Sequence, residues 1–192
     1  TEVRRQRQMC IRDSFSFITG LTKMGIEKIP PLVGRGVLIN MAKHHGVSSM
    51  YGGQGITRED IKKAIKKQNI ELKKGDIILF HTGWTDAKLK SSPEEWGASI
   101  PGITNDAAVY LSEFKPMAVG ADTWGLGAVP PIEGDKVYYD HVTLIKENGI
   151  YILETMDTGK LAKENVTEFM FVLGQPKLKG AVQMIINPVA LW

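Results

Sequence analysis

Cysteine is almost absent from this sequence. The 192 residues include only Cys10, so the chain forms neither an internal disulfide nor a cysteine-based zinc cluster, and a metal would need histidine and carboxylate ligands. Long apolar runs are also missing, since the longest, such as Ile77 to Phe80 and Phe169 to Leu173, fall far below the roughly 20 residues that span a bilayer. The start has no apolar centre of a signal peptide. We therefore expect a cytoplasmic protein with no membrane partner.

Arginine is scarce and unevenly distributed. Four of the six arginines lie in the first 13 residues, and this segment carries +2 of the formal charge of +3. The lysines of the remaining chain are dispersed or follow one helix face, so they form no continuous basic stripe for phosphates. We expect no nucleic-acid partner.

The first fourteen residues lack apolar periodicity of either kind. A disordered basic tail is one interpretation. The other is that Arg7 to Ser14 resembles translated adaptor read-through at the end of a sequence contig, and we favour it. Residues 1–14 are then non-native or disordered, and residues 15–192 form a single domain that lacks its N-terminal part.

Helical and strand patterns alternate along the middle of the chain. Thr57 and Asp60 have the spacing of a capping box ahead of an amphipathic helix. The unbroken apolar run from Ile77 to Phe80 is typical of a strand that is covered on both faces. Strands are predicted at residues 36–40, 77–80, 117–121, 150–154, 167–173 and 181–186. Helix-linked strands followed by consecutive strands indicate an α/β chain with a mixed order.

Residues 139–154 carry most of the functional information. Asp140 can cap a short helix that ends at Gly149, and His141 in its first turn faces inward. The positive helix end favours a neutral imidazole there, which is the form that binds metals. Glu154 ends an apolar strand, where a charge is costly unless it is paired or metal-bound. The two side chains could form half of a metal site, although a lone histidine of this kind is more often packed or capping.

Seven short motifs follow one another in a defined order. They are Lys28-Ile29-Pro30-Pro31, Arg35-Gly36-Val37-Leu38, Gly75-Asp76, Thr82-Gly83-Trp84, Val119-Gly120-Ala121-Asp122, His141 and Ile152-Leu153-Glu154. Together they resemble the cyclase family that includes kynurenine formamidase and isatin hydrolase, over roughly residues 25–190. The resemblance implies a compact single α/β domain with a mixed β-sheet or β-barrel-like core flanked by helices. It also implies a homo-oligomer, commonly a dimer, that hydrolyses an amide or related carbonyl compound with a divalent metal, as arylformamidases do in tryptophan catabolism.

The resemblance also assigns roles to single residues. His141 and Glu154 match the two metal-contacting residues of the family's C-terminal half, so we expect them to bind zinc or manganese. Trp84 could form a pocket wall for an aromatic small-molecule substrate by stacking, although a tryptophan of the core is the commoner case. Asp122 could orient a metal ligand or form a turn. The catalytic base is not identified.

The family's earlier motif, His-x-Gly-Thr-His-x-Asp followed by another histidine, is missing from this sequence. Of the remaining histidines, His44 and His45 are predicted in a polar loop, and His81 either lines a pocket or is structural. Two ligands hold a metal weakly, so we expect an incomplete site and an inactive or impaired fragment of the enzyme. The alternative is a non-catalytic small-molecule-binding or structural subunit that retains the fold. A nucleotide-binding domain is disfavoured because the glycines at 52–55 lack the residues of a P-loop.

Overall fold

The computed structural model describes residues 15–16, 20–21 and 25–192, so our interpretation of residues 1–14 lies outside the described residues. The strands are β1 (Phe15–Ser16), β2 (Gly20–Leu21), β3 (Leu32–Asn40), β4 (Gly55–Ile56), β5 (Ile77–His81), β6 (Gly102–Ile103), β7 (Ala118–Ala121), β8 (Tyr151–Leu153), β9 (Glu168–Leu173) and β10 (Val189–Leu191). Short pairings join β1 to β2 and β4 to β6. The main sheet has the order β10-β9-β3-β5-β7-β8.

The helices occupy the connections between these strands. They are α1 (Met41–His45), α2 (Arg58–Lys67), α3 (Trp84–Lys88), α4 (Pro93–Ala98), α5 (Asn105–Glu113), α6 (Tyr139–His141) and α7 (Gly159–Lys163), together with a 3₁₀ turn at Ile26–Lys28 and a π-helix at Val142–Glu147. Strands β3, β5, β7 and β8 are parallel, whereas β9 and β10 are antiparallel. The chain therefore has the predicted α/β fold with a mixed sheet flanked by helices.

The described residues divide into two units. The smaller unit lies within residues 1–34 and 170–191. In it β9 pairs with β10 in antiparallel orientation, and Val172 lies opposite Val189. The strand predicted at residues 181–186 is wrong, because this segment has no strand pairing and the last strand is β10. Its apolar pattern does not reflect burial, since Ile185 is 96% exposed.

The larger unit comprises residues 35–169 and 192 and contains the parallel strands. All five residues of β5 and all four of β7 are buried, as the unbroken apolar run predicts. Helix α2 buries Ile61 and Ala64, and Thr57 and Asp60 form the predicted capping box. No helix among the described residues has the length and apolar character needed to cross a membrane.

The parallel strands of the larger unit end at one edge of the sheet. Asn40 lies opposite His81, Phe80 lies opposite Ala121, and Gly120 lies opposite Leu153. Because carboxyl ends of parallel strands meet at the same edge, the residues that follow them lie along that edge, which is where α/β proteins commonly bind their ligands. Asp122 and Glu154 are the residues that follow β7 and β8.

Candidate metal centre

His141 and Glu154 lie side by side at this edge of the sheet. Nε2 of His141 is 3.2 Å from Oε1 of Glu154, and the two side chains are 12% and 23% exposed. The histidine ends α6, just before the π-helix, whereas the carboxylate follows β8 directly. Two elements separated by a turn at Gly149 therefore bring an imidazole and a carboxylate together, with the contacting Oε1 of Glu154 buried.

Asp140 holds the opposite side of the imidazole. Its Oδ2 lies 3.1 Å from Nδ1 of His141, and Asp140 itself is 2% exposed. The sequence places Asp140 as the helix cap, but in the structure it is the second residue of α6 and makes no cap. A carboxylate on one imidazole nitrogen that leaves the other nitrogen facing a ligand site is the usual arrangement around a metal-binding histidine. Sequence reasoning missed this role because the helix start was predicted two residues late.

The charge of His141 differs from the expected neutral ring. Burial lowers the pKa of His141, but hydrogen bonds and charge from Asp140 and Glu154 outweigh burial and raise the pKa to about 9. The prediction considered only the positive end of the helix, which lowers the pKa of a nearby histidine. Because α6 is three residues long, this effect is smaller than the rise in pKa caused by two adjacent carboxylates. Without a metal the ring is therefore an imidazolium at neutral pH.

The spacing of the pair fits two ligands of one metal ion. Zinc binds histidine nitrogen and carboxylate oxygen at about 2.0–2.2 Å, so at the tetrahedral angle two such ligand atoms lie roughly 3.3–3.6 Å apart. The observed distance between Nε2 of His141 and Oε1 of Glu154 is 3.2 Å, about 0.1 Å below this spacing. Within the part of the chain that the structure describes, no third histidine, cysteine, aspartate or glutamate completes a three-ligand group with them. The pair therefore fits part of a metal site.

A buried polar network lies next to this pair along the sheet edge. Asp122 accepts hydrogen bonds from the backbone N–H and the hydroxyl of Thr82, at 2.9 and 2.7 Å, and from the backbone N–H of Gly83 at 2.8 Å. Burial raises the pKa of the Asp122 carboxyl, while these hydrogen bonds and His81 oppose that effect. Nδ1 of His81 lies 2.8 Å from the Thr158 hydroxyl. The network therefore ties the end of β5 to the segments that follow β7 and β8.

Trp84 begins α3 and is 1% exposed. Its ring lies under the Lys88 ammonium, 5.6 Å from the ring centre. The indole nitrogen donates a long, 3.5 Å hydrogen bond to the carbonyl of Trp96. A substrate could stack on this ring only if its covering moved, so substrate contact at Trp84 stays a prediction.

His44 and His45 are the last two residues of α1, not part of a loop. The Asn40 side chain caps this helix by accepting a hydrogen bond from the Lys43 backbone N–H, a cap that the sequence prediction overlooked. One ligand atom each from His44, His45 and Asp60 lie within 4.8 Å of one another. This is a second group that could bind a metal.

The family model described as Putative cyclase matches residues 14–128, which is more than half of the chain. The chain belongs to this cyclase family. The matched segment contains β3, β5 and β7, whereas His141 and Glu154 lie beyond it.

Solved structures resemble this cyclase-family chain over most of its length. A novel cyclase is 28% identical with a TM-score of 0.83, and the alignment covers 94% of this chain and 62% of that one. Isatin hydrolase A from Ralstonia solanacearum is 18% identical with a TM-score of 0.71, over 96% of this chain and 67% of that one. A potential metal-dependent hydrolase with cyclase activity is 22% identical with a TM-score of 0.62, over 86% and 69%.

These comparisons define the fold of the chain. The chain spans about three fifths of the novel cyclase structure. No curated protein matches the sequence.

Proposed function

We propose that this protein is a metal-dependent hydrolase of an amide or related carbonyl substrate, of the arylformamidase type, to which the chain contributes His141 and Glu154. The observation that carries the proposal is the 3.2 Å separation of His141 Nε2 and Glu154 Oε1 beside the carboxyl ends of parallel strands. The similarity of the fold to a structure described as a metal-dependent hydrolase and to isatin hydrolases supports this reaction class.

Each residue of the pair has a defined task in this proposal. His141 would hold the metal through Nε2 in its neutral form, while Asp140, at Nδ1, would keep that nitrogen protonated and fix the ring plane. Glu154 supplies a negative charge that offsets part of the cation's charge. A bound zinc or manganese ion would polarise the substrate carbonyl and lower the pKa of a water molecule.

The remaining ligands must come from outside the described residues, because catalytic zinc sites use three protein ligands. The proposal predicts that the reading frame upstream of residue 15 encodes the His-x-Gly-Thr-His-x-Asp pattern. Sequencing the transcript tests this directly. A start codon near Met24 with no such pattern upstream would contradict the hydrolase proposal.

A non-catalytic binding subunit is the second candidate. It is favoured by one observation, namely that the described residues supply no third ligand next to His141 and Glu154. The two proposals differ in metal content. At the His141–Glu154 centre, a hydrolase that includes the upstream motif contains about one zinc or manganese ion per chain, whereas a binding subunit contains none. His141→Ala should therefore lower the metal content of the hydrolase by one ion and leave that of a binding subunit unchanged.

An activity assay completes the test. We expect the protein with the upstream motif to hydrolyse N-formylkynurenine or a related aryl amide, and the 192-residue chain alone to be inactive. His141→Ala or Glu154→Ala should each reduce the activity of the longer protein by at least about 100-fold, because loss of a ligand removes the metal. Full activity of both variants would exclude the pair from the site. A homodimer is part of the proposal, and light scattering measures it.

A further inference from the structure

A second group of metal-ligating side chains contains none of the residues of the His141–Glu154 pair. His44 and His45 end α1, and Asp60 lies in the first turn of α2. One ligand atom from each lies within 4.8 Å of the other two. We propose that these three residues bind a divalent transition-metal ion of the zinc and nickel class, independently of the hydrolase centre.

Local structure holds the two imidazoles next to each other. Helix α1 is capped at its start by Asn40 and ends at Gly46, whose φ of +73° is left-handed. The rings of His44 and His45 lie edge to face, with centres 5.0 Å apart. Nδ1 of His44 is buried without a hydrogen-bond partner. An unsatisfied buried nitrogen is unfavourable, and coordination would satisfy it.

The carboxylate is held by the capping box. Oδ2 of Asp60 accepts hydrogen bonds from the backbone N–H and the hydroxyl of Thr57, at 3.0 and 2.7 Å. These bonds fix the plane of the carboxylate, and Oδ1 takes no part in the cap. The three ligand atoms lie within 4.8 Å of one another, and binding of one ion would draw them to the roughly 3.3–3.6 Å spacing of tetrahedral zinc ligands.

Lysine side chains near His44 determine which kind of metal ion this group could bind. Lys63 and Lys67 are close enough to His44 to lower its pKa, after the larger effects of burial and of His45. The Lys67 ammonium is also 3.5 Å from the His44 carbonyl. These cations oppose any bound cation, so coordinate bonds to nitrogen must outweigh the repulsion. Zinc, nickel and copper form such bonds with imidazole, whereas magnesium and calcium prefer oxygen ligands.

Isothermal titration calorimetry with Zn²⁺ and Ni²⁺ tests this site. The 192-residue chain should carry Cys10→Ser, His141→Ala and Glu154→Gln, which removes the free thiol and the proposed hydrolase centre. We expect one ion per chain and no heat of binding with Mg²⁺. His45→Ala and Asp60→Asn should each weaken binding at least about tenfold, since even outer partners of a metal site cost that much.

Two control variants separate ligand loss from general effects. Glu59→Gln makes the same charge change one residue earlier, on a side chain paired with Lys62, and should leave the affinity within about twofold. Thr57→Ala weakens the helix cap but keeps Asp60, so it should cost far less affinity than Asp60→Asn. Equal affinities for the unsubstituted and the Asp60→Asn chain, or no binding of either ion, would overturn the proposal. Since the hydrolase pair is absent from the tested chain, neither result bears on the proposed function.

Discussion

Nε2 of His141 lies 3.2 Å from Oε1 of Glu154. With Asp140 on the other ring nitrogen at 3.1 Å, the imidazole is placed between two carboxylates. Such a position suits either of two cations: a proton on Nε2 or a metal ion between Nε2 and Oε1. The protonated pair and the metal-bound pair therefore exclude each other, and most of the predictions below depend on this competition.

Glu154→Gln should lower the pKa of His141 in the metal-free chain. The pKa is about 9 because two carboxylates outweigh burial, and removal of one adjacent charge lowers it by at least about one pH unit. An NMR titration of the histidine ring protons measures it. Glu147→Gln, an exposed substitution on the nearby π-helix, is the control. An unchanged pKa in Glu154→Gln would mean that the pair is not in contact in solution.

The metal-free chain should lose stability as the pH rises. The pKa of His141 increases from 6.5 to about 9 on folding, so its contribution is complete below pH 6.5 and is lost as the pH passes 9. The full contribution is of the order of 3 kcal/mol in the free energy of unfolding. Urea unfolding at pH 6 and pH 9.5, on the chain and on His141→Gln, measures the difference. Equal pH dependence of the two proteins would contradict this assignment.

Asp140→Asn should weaken metal binding without removing a metal ligand. The amide cannot stabilise the Nδ1 proton as the carboxylate does, so the metal affinity of the protein with the upstream motif should decrease about 10- to 100-fold. Competition with a chelator measures the affinity. Asp135→Asn, a nearby carboxylate that instead accepts from the Asn105 backbone, is the control. Wild-type affinity in Asp140→Asn would mean that Asp140 only packs against the ring.

Asp122→Ala should destabilise the fold more than it affects the metal. The change leaves the Thr82 and Gly83 N–H groups buried without their acceptor, and each such loss costs about 1–3 kcal/mol. Thermal unfolding measures the loss. A Tm close to that of the wild type would show that water replaces the carboxylate.

Much of the fold could be predicted because it depends on local patterns. The capping box at Thr57 and Asp60 and the apolar run of β5 each define an element within a few residues. The approach of His141 and Glu154 could be expected from the family resemblance, and the structure brings the two side chains together. Their roles as ligands stay predictions.

The features that could not be predicted from the sequence depend on contacts between residues far apart in the chain or on the exact start of a helix. The strand predicted at residues 181–186 has a suitable pattern but no pairing partner. The charge of His141 depends on Glu154, thirteen positions later, and on the position of Asp140 within α6. His44 and His45 lie in a helix instead of the predicted loop, because the Asn40 side chain caps the start of α1. None of these follows from hydrophobic periodicity.

The most direct test of the account is an anomalous difference map from crystals of the protein with the upstream motif, soaked in millimolar Zn²⁺. The account predicts a zinc peak about 2.0–2.2 Å from both Nε2 of His141 and Oε1 of Glu154. A map without density at this position, in which the two atoms still form a direct ion pair, would contradict it.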